Sequence, residues 1–412
     1  MPTTDTSGPA AQRQTPFLGL APFLRTSIAG TDLRPIAQQM LALAESHPDD
    51  ANLWMNLSIA MLSLKQRDIG LAIQGEALAQ KRVYHLPAAE QPAKFRLLML
   101  MAPGDLAGNT PLECLLEYSD IDLDLYYVSP ENPLASPIPE HDAVVVCLGE
   151  TEQNLPYLAA LEVVLANWPK PVINRPKNIL RVERAAASQL LQGIPGLLMP
   201  PTGQITRNDL DAVAQGRKKL ADLLTDCAFP IILRPLGSHA GRDLEKIDSP
   251  AEIAGYLQQV GEASFFLAPF IDYSARDGLY RKFRVALIDG RAFACHMAVS
   301  EHWMVHYVNA GMYEDAAKRA EELSFMEHFA AFAERHGPAL AAIQQRTGLD
   351  YLCLDGAETA DGQLLIFEID HAMVVHAMDP EELFPYKQLH MLKVKSAFRD
   401  FLFRLAPNMA RR

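Results

Sequence analysis

Apolar and polar positions change period several times along the chain, and each change predicts a different kind of element. Residues 1–28 are polar, carry Pro and Gly, and predict a flexible leader. From about Asp32 to Lys81 apolar side chains recur three and four residues apart: Ile36, Met40 and Leu43, then Trp54, Leu57, Met61 and Leu64, then Ile73 and Ala77. That spacing puts them on one face of successive amphipathic helices, and His47-Pro-Asp-Asp is a start signal for one of them. Phe95-Arg-Leu-Leu-Met-Leu-Met, Asp124-Leu-Tyr-Tyr-Val and Asp142-Ala-Val-Val-Val-Cys read instead as buried strands. Helical segments fall at about 111–117 and 155–167, and a further strand at 171–174. Strands alternating with helices predict a small parallel α/β layer.

Beyond it the pattern predicts helices at 182–191 and 207–224, then an apolar strand from Phe229 that ends in Arg234. The strand runs into a small-residue loop, Gly237-Ser238-His-Ala-Gly241-Arg242. Glycines let backbone N–H groups approach an anion, and Arg234 and Arg242 supply charge, so the loop suits phosphate. A second apolar strand, Phe265 to Phe270, closes on Asp272. A hairpin then turns at Asp289-Gly290 and carries Lys282 and Arg284 on one face. Helical patterns over about 321–347 and 385–405 complete the chain.

Between those two helices lies the stretch with the most chemistry. Tyr351 to Gly356 and Leu364 to Asp370 flank Asp361-Gly362 and predict a second hairpin. With that pair as the loop, Ala360 faces Gln363 and Asp355 faces Glu368. Asp370 lies two residues on, on the same face. Opposed carboxylates repel, so the pattern calls for a positive partner, and hard oxygen ligands without thiolate suit Mg²⁺, Mn²⁺ or Ca²⁺. His302 and His306 stand one helical turn apart, but the sequence shows no third ligand at a spacing that would complete a transition-metal site.

A net charge of −13 opposes a duplex nucleic-acid partner, and no basic patch offsets it. Five scattered cysteines without a CxxC pair suggest buried thiols in a reducing, cytoplasmic setting, and no apolar run reaches membrane-spanning length.

Taken in this order, the pieces from about residue 95 to 400 resemble the ATP-grasp superfamily, with a layout similar to ribosomal-protein glutamate ligases and glutathione synthetase. The resemblance implies an α/β and α+β chain with an ATP-grasp fold over 179–412 and a small lobe at about 202–266. A pre-ATP-grasp α/β domain would cover 92–178. Separately, Trp54-x-x-Leu57 followed by small residues in the next helix resembles a tetratricopeptide hairpin, so the helical region over 29–91 would be either a docking surface for a protein partner or a cap packed on the following domain. The ATP-grasp resemblance implies ATP between two sheets, with the hinge at Leu267 to Phe270, including Pro269, and the ribose on Asp272. Arg184 and Arg234 stand where the family places lysines, with Ser238, Gly241, Arg242 and Lys282 around the phosphates. Arg284 would lie near the transferred phosphate, His306 and Asn309 in the substrate region, and Asp355, Glu368 and Asp370 would hold two Mg²⁺ ions, or Mn²⁺. The family's last metal ligand is usually Asn where this chain has Asp370, and an acid is usual where it has Lys282. The implied activity is ligation of a small-molecule or peptide carboxylate to an amine through an acylphosphate. A phosphotransferase, or an inactive ATP-binding scaffold recruiting a partner through its helices, are the alternative readings.

Overall fold

The computed structural model describes residues 15–135, 137–238 and 241–406. Three sheets organise them. The first contains β1 (Val83–Leu86), β2 (Phe95–Met101), β3 (Ile121–Tyr127), β4 (Ala143–Val146) and β5 (Val172–Ile173), in the order β1-β3-β2-β4-β5. Four of its strands are parallel, as the alternating pattern predicts, and β1 joins β3 antiparallel at one edge. Its central strands are apolar on both faces because both faces are covered.

The second sheet is antiparallel. With β6 (Leu197–Leu198) assigned elsewhere, it comprises β7 (Gly203–Thr206), β8 (Ile231–Pro235), β9 (Glu245–Ile247) and β10 (Ser264–Pro269), in the order β7-β10-β8-β9. Helices Arg207–Ala214 and Pro250–Gln259 cover it, and Ile205, Leu210, Ile231, Leu233, Ile253, Phe265 and Leu267 give it a core of its own. The third sheet holds the two hairpins: β11 (Tyr280–Ile288), β12 (Arg291–Ser300), β13 (Tyr351–Glu358) and β14 (Leu364–Asp370), in the order β12-β11-β13-β14-β6.

Two apolar cores join the first and third sheets. One runs from Phe17 and the N-terminal helices through Leu97 and Met99 to Ala286, Cys353 and the C-terminal helix residues Val394 and Phe398. The other joins Leu98 and Val144 to Val285, Leu287 and Leu354. All five cysteines are buried, and none is in a disulfide. Among the described residues no helix is long and apolar enough to cross a membrane.

Several predicted elements change. Residues 15–28 are not a loose leader: Ala21–Ile28 is a helix, Phe17, Leu20 and Phe23 are buried, and Asn56 ties the segment down by accepting from the Leu18 amide and donating to the Pro16 carbonyl. The rest of the predicted leader, 1–14, lies outside the described residues. The helix predicted at 207–224 stops at Ala214, since Gly216 adopts φ +70° and turns the chain. The long helix predicted at 321–347 is three helices, Ala316–Glu327, Phe329–Arg335 and Gly337–Thr347.

The Tyr351–Asp370 hairpin reaches its predicted pairing by an unpredicted route. Thr359 and Gln363 close a three-residue loop in which Gly362 takes φ +82°, so near the turn Glu358 faces Leu364 and Gly356 faces Ile366. A bulge at Phe367 then shifts the register by one, and Asp355 faces Glu368 after all. The extra loop residue and the extra strand residue cancel.

Candidate active site

One cross-strand row carries four polar side chains. On the third sheet His296 of β12 pairs with Arg284 of β11, Arg284 with Asp355 of β13, and Asp355 with Glu368 of β14. Bulges interrupt the ladder beside this row on both hairpins, at Cys295 and at Phe367, and such bulges re-aim neighbouring side chains. Lys282, two residues from Arg284, projects on the same face.

The row forms the wall of a cavity of about 520 Å³. Arg284, Lys282, Asp355 and Glu368 line one side, from the third sheet. Arg234, Phe266 and Pro269 line the other, from the second. The cavity therefore lies between two sheets, with Arg184 and Met199 from the connecting segment closing one end. Around Phe270 its lining is aromatic: Phe270 sits edge-on to Trp303 with ring centres 5.7 Å apart, and Lys246 lies 4.8 Å from the centre of the Phe270 ring. The same lining carries the cations Arg184, Arg234, Lys282 and Arg284.

Asp355 is buried and fully engaged. Arg284 donates to both its oxygens, at 2.8 and 3.1 Å, and Lys282 lies 2.8 Å from Oδ2. Burial alone would raise this carboxyl, but the two cations outweigh it and hold it below the ordinary range. Arg184 donates to Glu368 Oε1 at 2.7 Å and to the Phe367 carbonyl at 3.0 Å. Burial raises Glu368 too, while Arg184 and Arg234 bring it below its usual value. Arg234 donates to the Ser238 hydroxyl at 3.0 Å and to the Ser238 carbonyl. Burial, then repulsion from Arg184, lowers its pKa to about 10, which leaves it charged at neutral pH. Gly241 adopts φ +72° against the His306 ring, where a Cβ would collide with Nε2. Both reasons require glycine there. Burial first and Lys282 second keep His306 below its usual pKa, so its ring is neutral at pH 7.

Five expected residues do not line the cavity, the first of them Ser238, which is buried and held by Arg234. Asp272 is exposed and accepts from the Ser274 amide, and Arg242 is mostly exposed beside Asp243 at 3.8 Å. Asn309 is exposed and caps its own turn, accepting from the His306 amide. Asp370 accepts from the Ala372 amide and does not line the cavity; it groups with Glu150 and His371. The three carboxylates expected to hold two ions are thus divided. Asp355 is bonded by two cations, Asp370 faces Glu150 rather than the cavity, and among the described residues Glu368 keeps one cavity-facing oxygen without a hydrogen bond.

The cavity also gathers groups that sequence reasoning missed. Lys387, buried in the C-terminal helix Lys387–Leu405, lies 3.0 Å from Asp379 and 3.2 Å from Glu322, and Tyr307 and Tyr386 both donate to Glu322. The only sequence signal was a lysine at an apolar helix position. His296, one of several histidines that the sequence places near the site, lies in the middle of β12; burial, then Arg284, holds it well below its usual pKa.

No protein-family model matches the sequence. Similar solved structures include D-alanine–D-alanine ligase from Bacillus anthracis complexed with ATP, 13% identical with a TM-score of 0.45, covering 76% of this chain and 99% of that one. The D-Ala:D-Ser ligase VanG from Enterococcus faecalis is 11% identical with a TM-score of 0.44, covering 76% and 99%. The RimK domain ATP-grasp protein from Sphaerobacter thermophilus is 18% identical with a TM-score of 0.41, covering 75% and 99%.

Proposed function

We propose that this chain is an ATP-grasp enzyme that activates a carboxylate with ATP and joins it to an amine or another nucleophile. One observation carries the reading: a chain of net charge −13 lines one two-sheet cavity both with Arg184, Arg234, Lys282 and Arg284 and with the apolar and aromatic side chains Phe266, Pro269, Phe270 and Trp303. A flat apolar group joined to a polyanion, as in ATP, matches both linings. The adenine would lie against Pro269 and Phe270 and the phosphates against the cations.

Arg184 and Arg234 suit the non-transferred phosphates, since guanidinium forks bind phosphate oxygens in pairs. Arg284 and Lys282, held by Asp355 against the wall, would face the transferred group. The acid substrate's carboxylate oxygen attacks the γ-phosphorus and the bond to the bridging oxygen breaks, releasing ADP. The nucleophile then attacks the acyl carbon and expels phosphate. Cations fixed before reaction stabilise charge where it develops without reorganising. A neutral His306 can take the proton that the attacking amine loses. Glu368 can hold a Mg²⁺ ion through its free oxygen together with the phosphates, which is how Mg²⁺ commonly binds nucleotides. The bound ion would supply neutralisation of phosphate charge. The cytoplasm is the proposed location, and small-molecule or peptide acids and amines are the proposed substrates; a partner at the N-terminal helices remains a further proposal.

The test is ADP release by the purified chain with pools of carboxylates and amines. ADP formation that needs both an acid and an amine, with a condensed product in the mass spectrum, supports ligation. A stable phosphorylated product formed without an amine would replace it with phosphotransfer.

A further inference from the structure

The acids that do not line the nucleotide cavity meet beside Glu368, on the same face of β14. Glu150 follows β4 of the first sheet, Asp370 ends β14 of the third, and His371 is the next residue. One ligand atom from each lies within 4.8 Å of the other two. His371 is completely buried, and its Nε2 lies 2.9 Å from the Leu148 carbonyl. A carbonyl only accepts, so Nε2 carries the hydrogen and Nδ1 of the neutral ring presents a lone pair. Nδ1 is buried, has no hydrogen-bond partner among the described residues, and faces Asp370 Oδ1 at 3.5 Å. Burial keeps the ring neutral, with its pKa lowered to about 4. Among the described residues no Lys or Arg forms an ion pair with Glu150 or Asp370: the nearby Arg184 is bonded to Glu368. Two carboxylates and an imidazole lone pair therefore converge with nothing positive between them.

We propose that Glu150, Asp370 and His371, which do not line the nucleotide cavity, bind a divalent first-row transition ion beside it. A metal-binding histidine commonly donates its other ring N–H to a backbone carbonyl, which fixes the tautomer and aims the free nitrogen at the ion. Leu148 does this here. Two carboxylates with one imidazole suit Mn²⁺, Fe²⁺ or Zn²⁺ better than Mg²⁺, which prefers oxygen alone. Ligands of one ion at about 2.1 Å stand no more than about 4.2 Å apart, so the three groups need to close by less than an ångström. The ion would tie the loop after β4 to the end of β14, joining the first sheet to the third at the edge of the proposed active site. Neither Asp355 nor Glu368 is needed.

The test uses the full chain stripped of metal and titrated with Mn²⁺ in the absence of nucleotide, with free Mn²⁺ read by electron paramagnetic resonance. The expected result is one bound ion per chain, with affinity lowered at least about tenfold in Glu150→Gln and unchanged in Glu368→Gln. Pulsed resonance of the bound ion should show nitrogen coupling that disappears in His371→Gln. Because His371 is buried, that variant's folding is checked by thermal unfolding; Glu150→Gln, at a less buried position, stands as the independent variant. Wild type that binds no Mn²⁺ without nucleotide, equal affinity in Glu150→Gln, or bound Mn²⁺ without nitrogen coupling would overturn the proposal. None of these outcomes bears on ATP binding, which is measured separately.

Discussion

Asp355 and Asp370 lie on facing strands of one hairpin, and the molecule treats them in opposite ways. Asp355 meets two resident cations, which bond both its oxygens and keep it ionised. Asp370 meets Glu150 and a histidine lone pair, and burial, then Glu150, pushes its pKa well above the usual value. Glu113 is a third case. It is buried, its Oε2 has no partner, and burial raises its pKa to about 7. A buried acid is tolerable with a cation, with a proton, or with a bound ion. Asp355 takes the first and Glu113 the second; Asp370 also favours a proton in the metal-free protein, and the proposed ion would take that proton's place.

The comparison can be broken most sharply at Asp355. Asp355→Asn leaves the half-buried Arg284 and Lys282 without their buried counter-charge and should destabilise the chain by about 3 kcal/mol in urea unfolding. Asp370→Asn removes an acid that has no cation, so in metal-free protein its midpoint should be unchanged or higher. An equal loss in both variants would erase the distinction. Glu113 sharpens the protonation case. Its folded pKa is above the unfolded one, so the stability it contributes is complete below about pH 4.5 and disappears as pH rises through about 7. The loss is on the order of 3 kcal/mol, and Glu113→Gln should flatten that part of the pH–stability curve. In the cavity's cationic lining, Arg184→Ala removes one charged phosphate contact and should weaken ATP binding by about 1.5–3 kcal/mol in calorimetry with little change in unfolding. Gly241→Ala should cost about 1–2 kcal/mol locally and raise KM for ATP, because it strains the backbone and displaces His306.

How much of this was legible in the sequence depends on the range of the contact. The facing of Asp355 and Glu368 could be counted from the Asp361-Gly362 turn because strand pairing is local arithmetic, although the count survived only because the loop and the bulge at Phe367 cancel. The Asp289-Gly290 turn was likewise readable: both residues take positive φ, as a two-residue hairpin requires. Arg184 and Arg234 were placed from the resemblance, and both line the cavity. Arg242, Asp272 and Asn309 show the limit of such placement, because a position beside a strand end does not determine where the side chain points, and all three turn to local partners or solvent. Glu150 could not be found at all. Its link to Asp370 and His371 is made by packing the first sheet on the third, and nothing near it in the sequence records that contact.

The most direct test of the nucleotide reading is the thermal midpoint of wild type and Glu368→Gln with ATP, with and without Mg²⁺. A ligand that binds only the folded state adds about 2.7 kcal/mol at a hundredfold excess over Kd. The account predicts a rise in wild type that grows with Mg²⁺ and shrinks in Glu368→Gln. A wild-type midpoint that ATP does not move, with or without Mg²⁺, would contradict it.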